Sequence, residues 1–131
     1  MRILFFVLLF SCSFTLFAQN KKTIKAKALV QEAMLLESRM DREGAIKLYE
    51  KAVKTDPTFS LAWHQYGNAL RKNAAPKKGQ LICFLKVIEL DSNSKNEMNS
   101  LNTLSSIYYN LGLFDTSLIY FRMYLNHPQI H

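Results

Sequence analysis

The sequence predicts an all-α protein in which three helical hairpins stack as a solenoid behind an N-terminal signal peptide. Apolar residues recur at helical spacing in paired stretches, and a short polar turn separates the two stretches of each pair. The pairs recur about every 34 residues, a period typical of helical repeat proteins. The composition agrees, because the 131 residues are 49% hydrophobic and include only four Gly and three Pro. Such a chain is neither collagen-like nor disordered, and its length suits one domain.

Residues 1–18 have the organisation of a signal peptide for export. Arg2 precedes a nearly unbroken apolar run, and Ala18 precedes the polar stretch Gln19–Lys22. A basic start, an apolar stretch and a small residue follow one another in this order in secretory signals. The run is shorter than the ~20 residues of a membrane-spanning helix. The Phe-Ala-Gln junction resembles signal peptides of some Gram-negative bacteria. We therefore expect cleavage after Ala18 and a mature domain of residues 19–131 in the periplasm or at the outer membrane.

Two alternatives for this segment stay open. The stretch Leu9–Cys12 resembles a bacterial lipobox, in which Cys12 would be lipidated and would anchor the protein to a membrane. Against this, the apolar run continues at Phe14, where a lipoprotein normally turns polar. The segment could instead remain as an uncleaved anchor, because Leu16 stands at the third position before the junction, where signal peptidases favour a small residue.

The remaining chain consists of three similar copies. Ala33 aligns with Gly67 at an offset of 34, Tyr49 with Phe84 at an offset of 35, and Phe84 with Phe121 at an offset of 37. Each copy contains one predicted helical hairpin. The predicted repeats are residues 26–59, 60–94 and 98–131.

Particular residue types stand at fixed places in each copy. The first copy has Ala45, Tyr49, Ala52 and Pro57 in its second half. The second copy has Trp63, Gly67, Leu70, Phe84 and Val87, and the third has Leu104, Ser105, Tyr108, Gly112, Phe114, Ser117 and Phe121. With these anchors the chain resembles the tetratricopeptide repeat family over essentially all of residues 19–131. The resemblance implies a right-handed superhelix and a non-catalytic scaffold with a concave groove for a protein partner.

Small residues such as Gly67 and Ala45 should let paired helices approach closely, while aromatic residues fill the space between pairs. We expect Trp63 to fill the wedge between the first two pairs, so that Trp63→Ala would cost about 3–5 kcal/mol. Gln80 occupies the small-residue position of the second copy and predicts looser packing there. Extra residues before the third copy, 92–97, predict a longer helix or an altered superhelical step.

The last predicted helix is apolar on more than one face. Leu118 and Phe121 are expected to point back into the domain. The other apolar residues of this helix, Ile119, Tyr120, Met123 and Tyr124, cannot all do so. Such a surface predicts self-association through this helix, or coverage by a continuation of the chain or a partner.

The sequence contains no catalytic or metal-binding pattern. His64, His127 and His131 lie in no zinc motif, and no glycine-rich phosphate loop is present. We expect His127 and His131 to belong to a frayed tail and Cys83 to be a small buried hydrophobic residue. The prediction is a protein that is not an enzyme and uses no cofactor and no metal.

The formal net charge of +7 allows contact with an acidic surface or partner. Lysines cluster at residues 21–27 and basic residues at 71–78, and both clusters could equally be solvated. Nucleic acid is not expected as a partner, because the aromatic residues lie at core spacing and do not alternate with the lysines.

The resemblance also places a candidate binding groove on the first helix of each repeat. The candidate residues are His64, Asn68, Arg71, Asn99, Asn102, Ser106 and Tyr109. Asn can donate to and accept from a peptide backbone, and Arg can bind a carboxylate through two hydrogen bonds. His64 and Asn68 resemble the Lys/Asn pair of chaperone-binding members of the family, although the third copy lacks the matching Lys and Arg.

These observations predict a protein–protein interaction scaffold of the bacterial cell envelope. The alternative is that the chain forms the N-terminal repeat segment of a larger envelope protein. By resemblance, that protein would be either a peptidoglycan-binding outer-membrane protein or a sensor kinase.

Overall fold

Helices and turns account for the whole of the chain that the structure describes, which confirms the all-α prediction. This computed structural model describes the backbone of residues 2–130 and the side chains of residues 18–130. The helices are α1 (Arg2–Ser38), α2 (Arg42–Thr55), α3 (Ser60–Lys72), α4 (Lys77–Leu90), α5 (Lys95–Asn110) and α6 (Phe114–Leu125), followed by a short 3₁₀ helix, Pro128–Ile130. The side chains of the predicted signal peptide, including Cys12, lie outside the described residues except for Ala18. No helix in the described part is both long and apolar enough to cross a membrane.

The helices pack as three successive hairpins. α1 packs on α2, α3 on α4 and α5 on α6, while α2 contacts α3 and α4 contacts α5. Only a few contacts join α1 to α3 or α3 to α5. Each hairpin therefore rests on its neighbour along the chain, which is the arrangement of a tetratricopeptide repeat solenoid.

Local capping explains where the helices begin and end. The carboxylate of Asp41 accepts a 2.9 Å hydrogen bond from the backbone N–H of Gly44 and caps α2. Ser94 Oγ accepts one of 2.9 Å from the N–H of Glu97, whose own carboxylate accepts from the N–H of Asn93. This pair resembles a capping box, except that the Glu97 carboxylate accepts from the residue before the N-cap. It starts α5 early, so the extra residues before the third repeat lengthen this helix to 16 residues, against 13 in α3.

The main core lies between α1, α2 and α3. It is built from small and branched residues around one aromatic ring: Leu29, Val30, Ala33, Ala45, Tyr49, Ala52, Val53, Ala62 and Ala69. A second cluster of Phe84, Leu104 and Ile107 joins α4 to α5. At Gly67 the helices approach so closely that an added Cβ would lie 3.0 Å from Cys83 Cβ and from the Phe84 ring. The small residues therefore bring the helices together, as predicted.

Trp63 differs from its predicted role. It is half-buried at the edge of the first cluster, and its Nε1 donates a 2.8 Å hydrogen bond to the carbonyl of Pro57. Tyr49 and Phe84, which were also expected between the hairpins, are fully buried there. Truncation of Trp63 should therefore cost no more than the lower end of the expected range, about 3 kcal/mol.

Gln80 is fully buried in the small-residue position of α4. Its Nε2 donates a 2.7 Å hydrogen bond to the carbonyl of Ala75, in the turn that carries the extra residue. The longer turn thus supplies a partner for the amide nitrogen. The amide oxygen has no hydrogen-bond partner among the described residues.

The orientation of α6 was predicted wrongly. Leu118 and Phe121 are exposed, whereas Tyr120 packs back against Tyr108 with parallel rings whose centroids lie 5.4 Å apart. The residues equivalent to Phe121 are Tyr49 and Phe84, which are fully buried by the hairpin that follows each of them. No described helix covers Phe121 in this way.

The prediction of a frayed tail is also wrong for His127. Its ring is buried, and its Nε2 lies 3.4 Å from Oε2 of Glu97 at the start of α5. Its Nδ1 accepts a 3.2 Å hydrogen bond from the N–H of Gln129, which begins the last turn of chain. These contacts fasten the end of α6 to its own hairpin. His131 lies outside the described residues.

Candidate functional site

Two adjoining cavities flank α5 and contain four of the seven predicted site residues. The polar cavity has a volume of about 390 Å³ and lies between α3, α4 and α5. Its lining residues are Arg71, Lys77, Asn102, Thr103, Ser106, Ile107 and Asn110. The predicted residues Arg71, Asn102 and Ser106 therefore converge here, although Arg71 is 31 positions away from Asn102 in the sequence.

The polar cavity is suited to an anionic group. Arg71, in the last turn of α3, and Lys77, at the start of α4, are both exposed and contribute two positive charges. No carboxylate is among the residues that line it. The amides of Asn102 and Asn110 add donors and acceptors. A carboxylate with a flanking peptide group would meet complementary partners here.

The second cavity is apolar and larger, at about 670 Å³. It shares Asn102, Ser106 and Asn110 with the polar cavity, and its further lining residues are Ser105, Tyr109, Phe114, Ser117, Leu118 and Phe121. Two of these lining residues join α6 to α5, because Ser117 Oγ donates a 2.8 Å hydrogen bond to the carbonyl of Ser105. Tyr109 and Phe114 stand at its edge with ring centroids 5.3 Å apart. The shared residues make one continuous surface from the cations of α3 and α4 to the aromatic residues of α6.

Sequence reasoning missed the aromatic and aliphatic part of this surface. Phe114 was identified only as a repeat anchor, and Leu118 and Phe121 were assigned to the core. The excess of apolar residues on α6 was the signal that pointed to this surface. The pattern shows how many side chains must be exposed, whereas neighbouring helices decide which ones.

Three predicted residues line neither cavity. His64 is buried between hairpins, with Nδ1 3.4 Å from Ser100 Oγ and its ring edge-on to Phe84. Burial, with the positive charge of Arg71, lowers the pKa of His64. Its ring is therefore a packing element and is withdrawn from the groove surface. Asn68 is half-buried and Asn99 is exposed, and each lies apart from the lining residues.

The Cys83 thiol shows how burial affects a reactive group in this fold. The side chain is almost fully buried, as predicted, and burial raises its pKa to about 12. The thiol therefore stays protonated at neutral pH.

The residues that the structure describes contain no cluster of three His, Cys, Asp or Glu side chains arranged to hold a metal ion.

Comparison with known proteins identifies the repeats. Two family sequence models described as tetratricopeptide repeat match the chain, one at residues 26–59 and the other at residues 48–81. The first match coincides with the first predicted repeat. The second spans α3 with parts of α2 and α4, so it begins at residue 48, before the start of the predicted second copy at residue 60.

The crystal structure of MamA is similar to this chain, with a TM-score of 0.71 at 15% sequence identity. The likeness covers 79% of this chain and 58% of the MamA chain, so this chain spans less than two thirds of MamA's length. At this identity the likeness concerns the fold. No curated protein sequence matches the chain. Both family matches fall on packed helix pairs of the solenoid described above, so residues 26–81 of this chain consist of tetratricopeptide repeats.

Proposed function

We propose that this protein is a non-catalytic scaffold that binds an extended segment of a partner protein along α5. Tetratricopeptide repeats generally mediate contacts between proteins. The observation that carries the proposal is the continuity of the two cavities, which share Asn102, Ser106 and Asn110. A ligand lying on this surface reaches a positively charged cavity at one end and an aromatic one at the other.

The chemistry of the surface defines the segment that it would bind. Arg71 and Lys77 select a carboxylate, from an acidic side chain or a chain terminus. Tyr109, Phe114 and Phe121 select an apolar side chain a few residues away. The asparagines of α5 would bind the peptide groups between these two anchors.

A peptide-display selection against the full chain tests this function. The enriched peptides should combine an acidic residue with an apolar one, and fluorescence polarisation would measure their affinity. Arg71→Glu should weaken binding by at least about tenfold, because it places a like charge against the carboxylate. Lys51→Glu, an equal charge reversal on the exposed face of α2, should leave binding unchanged. Equal losses in the two variants would show a general charge effect and would contradict the proposed site.

We also propose that the domain acts in the bacterial cell envelope after cleavage of residues 1–18. Support comes from the basic, apolar and small-residue order of this segment and from the polarity change at Gln19. Intact-mass analysis of protein recovered from a bacterial envelope fraction tests it. A mass that begins at Gln19 is expected. A mass that retains residues 1–18 would contradict cleavage, and a lipid adduct on Cys12 would support the lipoprotein alternative.

A second candidate is that these repeats are the N-terminal segment of a larger envelope protein, such as a peptidoglycan-binding protein or a sensor kinase. The exposed ring of Phe121 favours it, since a further hairpin would bury that ring as α5 buries Phe84. Sequencing the gene beyond the codon for His131 tests it. An immediate stop codon would contradict this candidate.

A further inference from the structure

The two ends of the solenoid expose positions that are buried inside it. In the second helix of each hairpin, Tyr49, Phe84 and Phe121 are equivalent. The following hairpin covers Tyr49 and Phe84 completely, whereas Phe121 is 41% exposed. The C-terminal face of α5 and α6 is thus an unfilled copy of two junctions that the molecule already contains.

The N-terminal face of α1 is the matching half of such a junction. Ala69 of α3 packs in the same cluster as Tyr49, and Ile107 of α5 packs in the same cluster as Phe84. The repeat register places Leu35 of α1 at the position of Ala69 and Ile107. Leu35 is 49% exposed, although its two equivalents are buried.

A small residue is found at a second position of the same helix face. Ala62 of α3 and Ser100 of α5 are fully buried, and their equivalent in α1 is Ala28, which is exposed. All three first helices therefore have a small residue followed, seven residues later, by an apolar one. In α1 this pattern meets no partner among the described residues.

Charge distinguishes the two free faces. At the first internal junction, Tyr66 of α3 packs against the cluster that contains Tyr49, the residue before Glu50 of α2. Burial raises the pKa of Tyr66, and the negative charge of Glu50 raises it further. The register places Glu32 of α1 at the Tyr66 position and Arg122 of α6 at the Glu50 position. Neither Glu32 nor Arg122 forms an ion pair with another described side chain.

We propose that α1 of one copy of this chain docks on α5 and α6 of a second copy, head to tail. Leu35 packs on Phe121, as Ile107 and Phe84 share a cluster inside one chain. Glu32 pairs with Arg122, at the positions that Tyr66 and Glu50 occupy at the first internal junction. The contact joins two different surfaces, so a free face remains at each end of every dimer and further copies can add. The docked α1 covers Phe121, so it would compete with a peptide for the aromatic end of the apolar cavity.

The internal junctions favour a second copy of this chain over another occupant. At both internal junctions, the first helix of one hairpin packs on the second helix of the hairpin before it. The first helix α1 has the same side exposed at Leu35. The opposite charges of Glu32 and Arg122 fit this pairing. A tail-to-tail dimer through Phe121 would bring two Arg122 side chains together and would leave Glu32 unused.

Sedimentation velocity on the purified full chain tests the proposal, with the charge variants Glu32→Arg and Arg122→Glu. The wild type should form species larger than a monomer that increase with concentration. Each variant alone brings like charges together at the junction and should weaken association by at least about tenfold. An equimolar mixture of the two variants should restore association, because each head then meets a tail of opposite charge. Both sites are exposed, and circular dichroism should show unchanged helix content.

Matched controls separate this contact from other kinds of association. Lys51→Glu should associate as the wild type does, whereas Leu35→Glu and Phe121→Glu should both associate more weakly. Residues 1–18 are the same in every variant, so association through them would be equal in all. Equal association of all variants, or a wild type that stays monomeric at every concentration, would overturn the proposal. Weakening by Phe121→Glu without weakening by Leu35→Glu or Glu32→Arg would also overturn it and would indicate a tail-to-tail contact. These readouts contain no peptide ligand, so they stand apart from the proposed groove function.

Discussion

The hydroxyl of Thr23 donates a 2.6 Å hydrogen bond to Oδ2 of Asp56, which joins α1 to the C-terminal end of α2. Asp56 is buried, and it also accepts from Gln19 Nε2 at 3.0 Å and from the hydroxyl of Thr58 at 2.6 Å. The second hairpin repeats this link, because Ser60 donates to Asp91 at 2.9 Å. A carboxylate at the end of the second helix thus fastens the first helix of its own hairpin.

The Asp56 link predicts a loss of stability in acid. Burial opposes ionisation of Asp56, but the hydrogen bonds from Thr23, Thr58 and Gln19 outweigh it and lower the pKa of this carboxyl. The unfolded chain therefore takes up a proton at higher pH than the folded one. This contribution to stability is complete above the ordinary Asp pKa of about 3.9 and is lost as the pH falls through the lower, folded pKa.

Thermal melts between neutral and strongly acidic pH measure this contribution. Asp56→Asn should lower the melting temperature at neutral pH and should flatten its decline in acid. Asp115→Asn, at an exposed position of α6, should keep the wild-type decline. An unchanged acid decline in Asp56→Asn would place the titrating group elsewhere.

Truncation of Phe84 and of Phe121, which occupy equivalent positions, should destabilise the protein by clearly different amounts. Phe84→Ala should destabilise by about 3–5 kcal/mol, since the ring is fully buried between α4 and α5. Phe121→Ala should cost less, about 1–2 kcal/mol in the monomer, because its ring is 41% exposed and its loss leaves no closed cavity. Urea unfolding at low protein concentration measures both. Similar costs would mean that α6 is covered in the monomer.

Two glycines predict opposite effects of adding one methyl group. Gly67→Ala should destabilise by about 1–3 kcal/mol, because the new Cβ would lie 3.0 Å from the Phe84 ring. Gly79→Ala should stabilise by up to about 1 kcal/mol, since the nearest atom is Leu70 Cδ1 at 3.5 Å and Ala favours a helix. Urea unfolding of the two variants under the same conditions gives both values. A stabilising Gly67→Ala would show that α3 and α4 can move apart at no cost.

Cys83 should resist alkylation in the folded protein. The reactive form is the thiolate, and burial raises the Cys83 pKa to about 12 while it also blocks access to the sulfur. Mass spectrometry of the peptide that contains Cys83, after iodoacetamide treatment with and without denaturant, measures this. Rapid modification without denaturant would mean that the second hairpin opens readily.

The hairpins and their order were predictable from short-range chemistry. Helical spacing of apolar residues and the break at Pro57 act within a few residues of chain, so a sequence displays them directly. The caps at Asp41 and Ser94 act over the same short range, but they were identified in the structure. The small residues at Ala45 and Gly67 were recognisable for the same reason, since each repeat carries its own copy of the pattern. The fold class and the repeat family therefore follow from the sequence alone.

Only the tertiary structure decided which members of equivalent sets are exposed. Phe121 and Phe84 are the same residue at the same repeat position, yet one lies on a cavity and the other in the core, because only Phe84 has a hairpin stacked on it. His64 is buried against Ser100 and Phe84, and His127 contacts Glu97. Ser100 and Glu97 are each at least 30 positions along the chain from the histidine that they contact. Burial depends on the neighbours that the stacked hairpins supply, and a repeat pattern describes each hairpin without them.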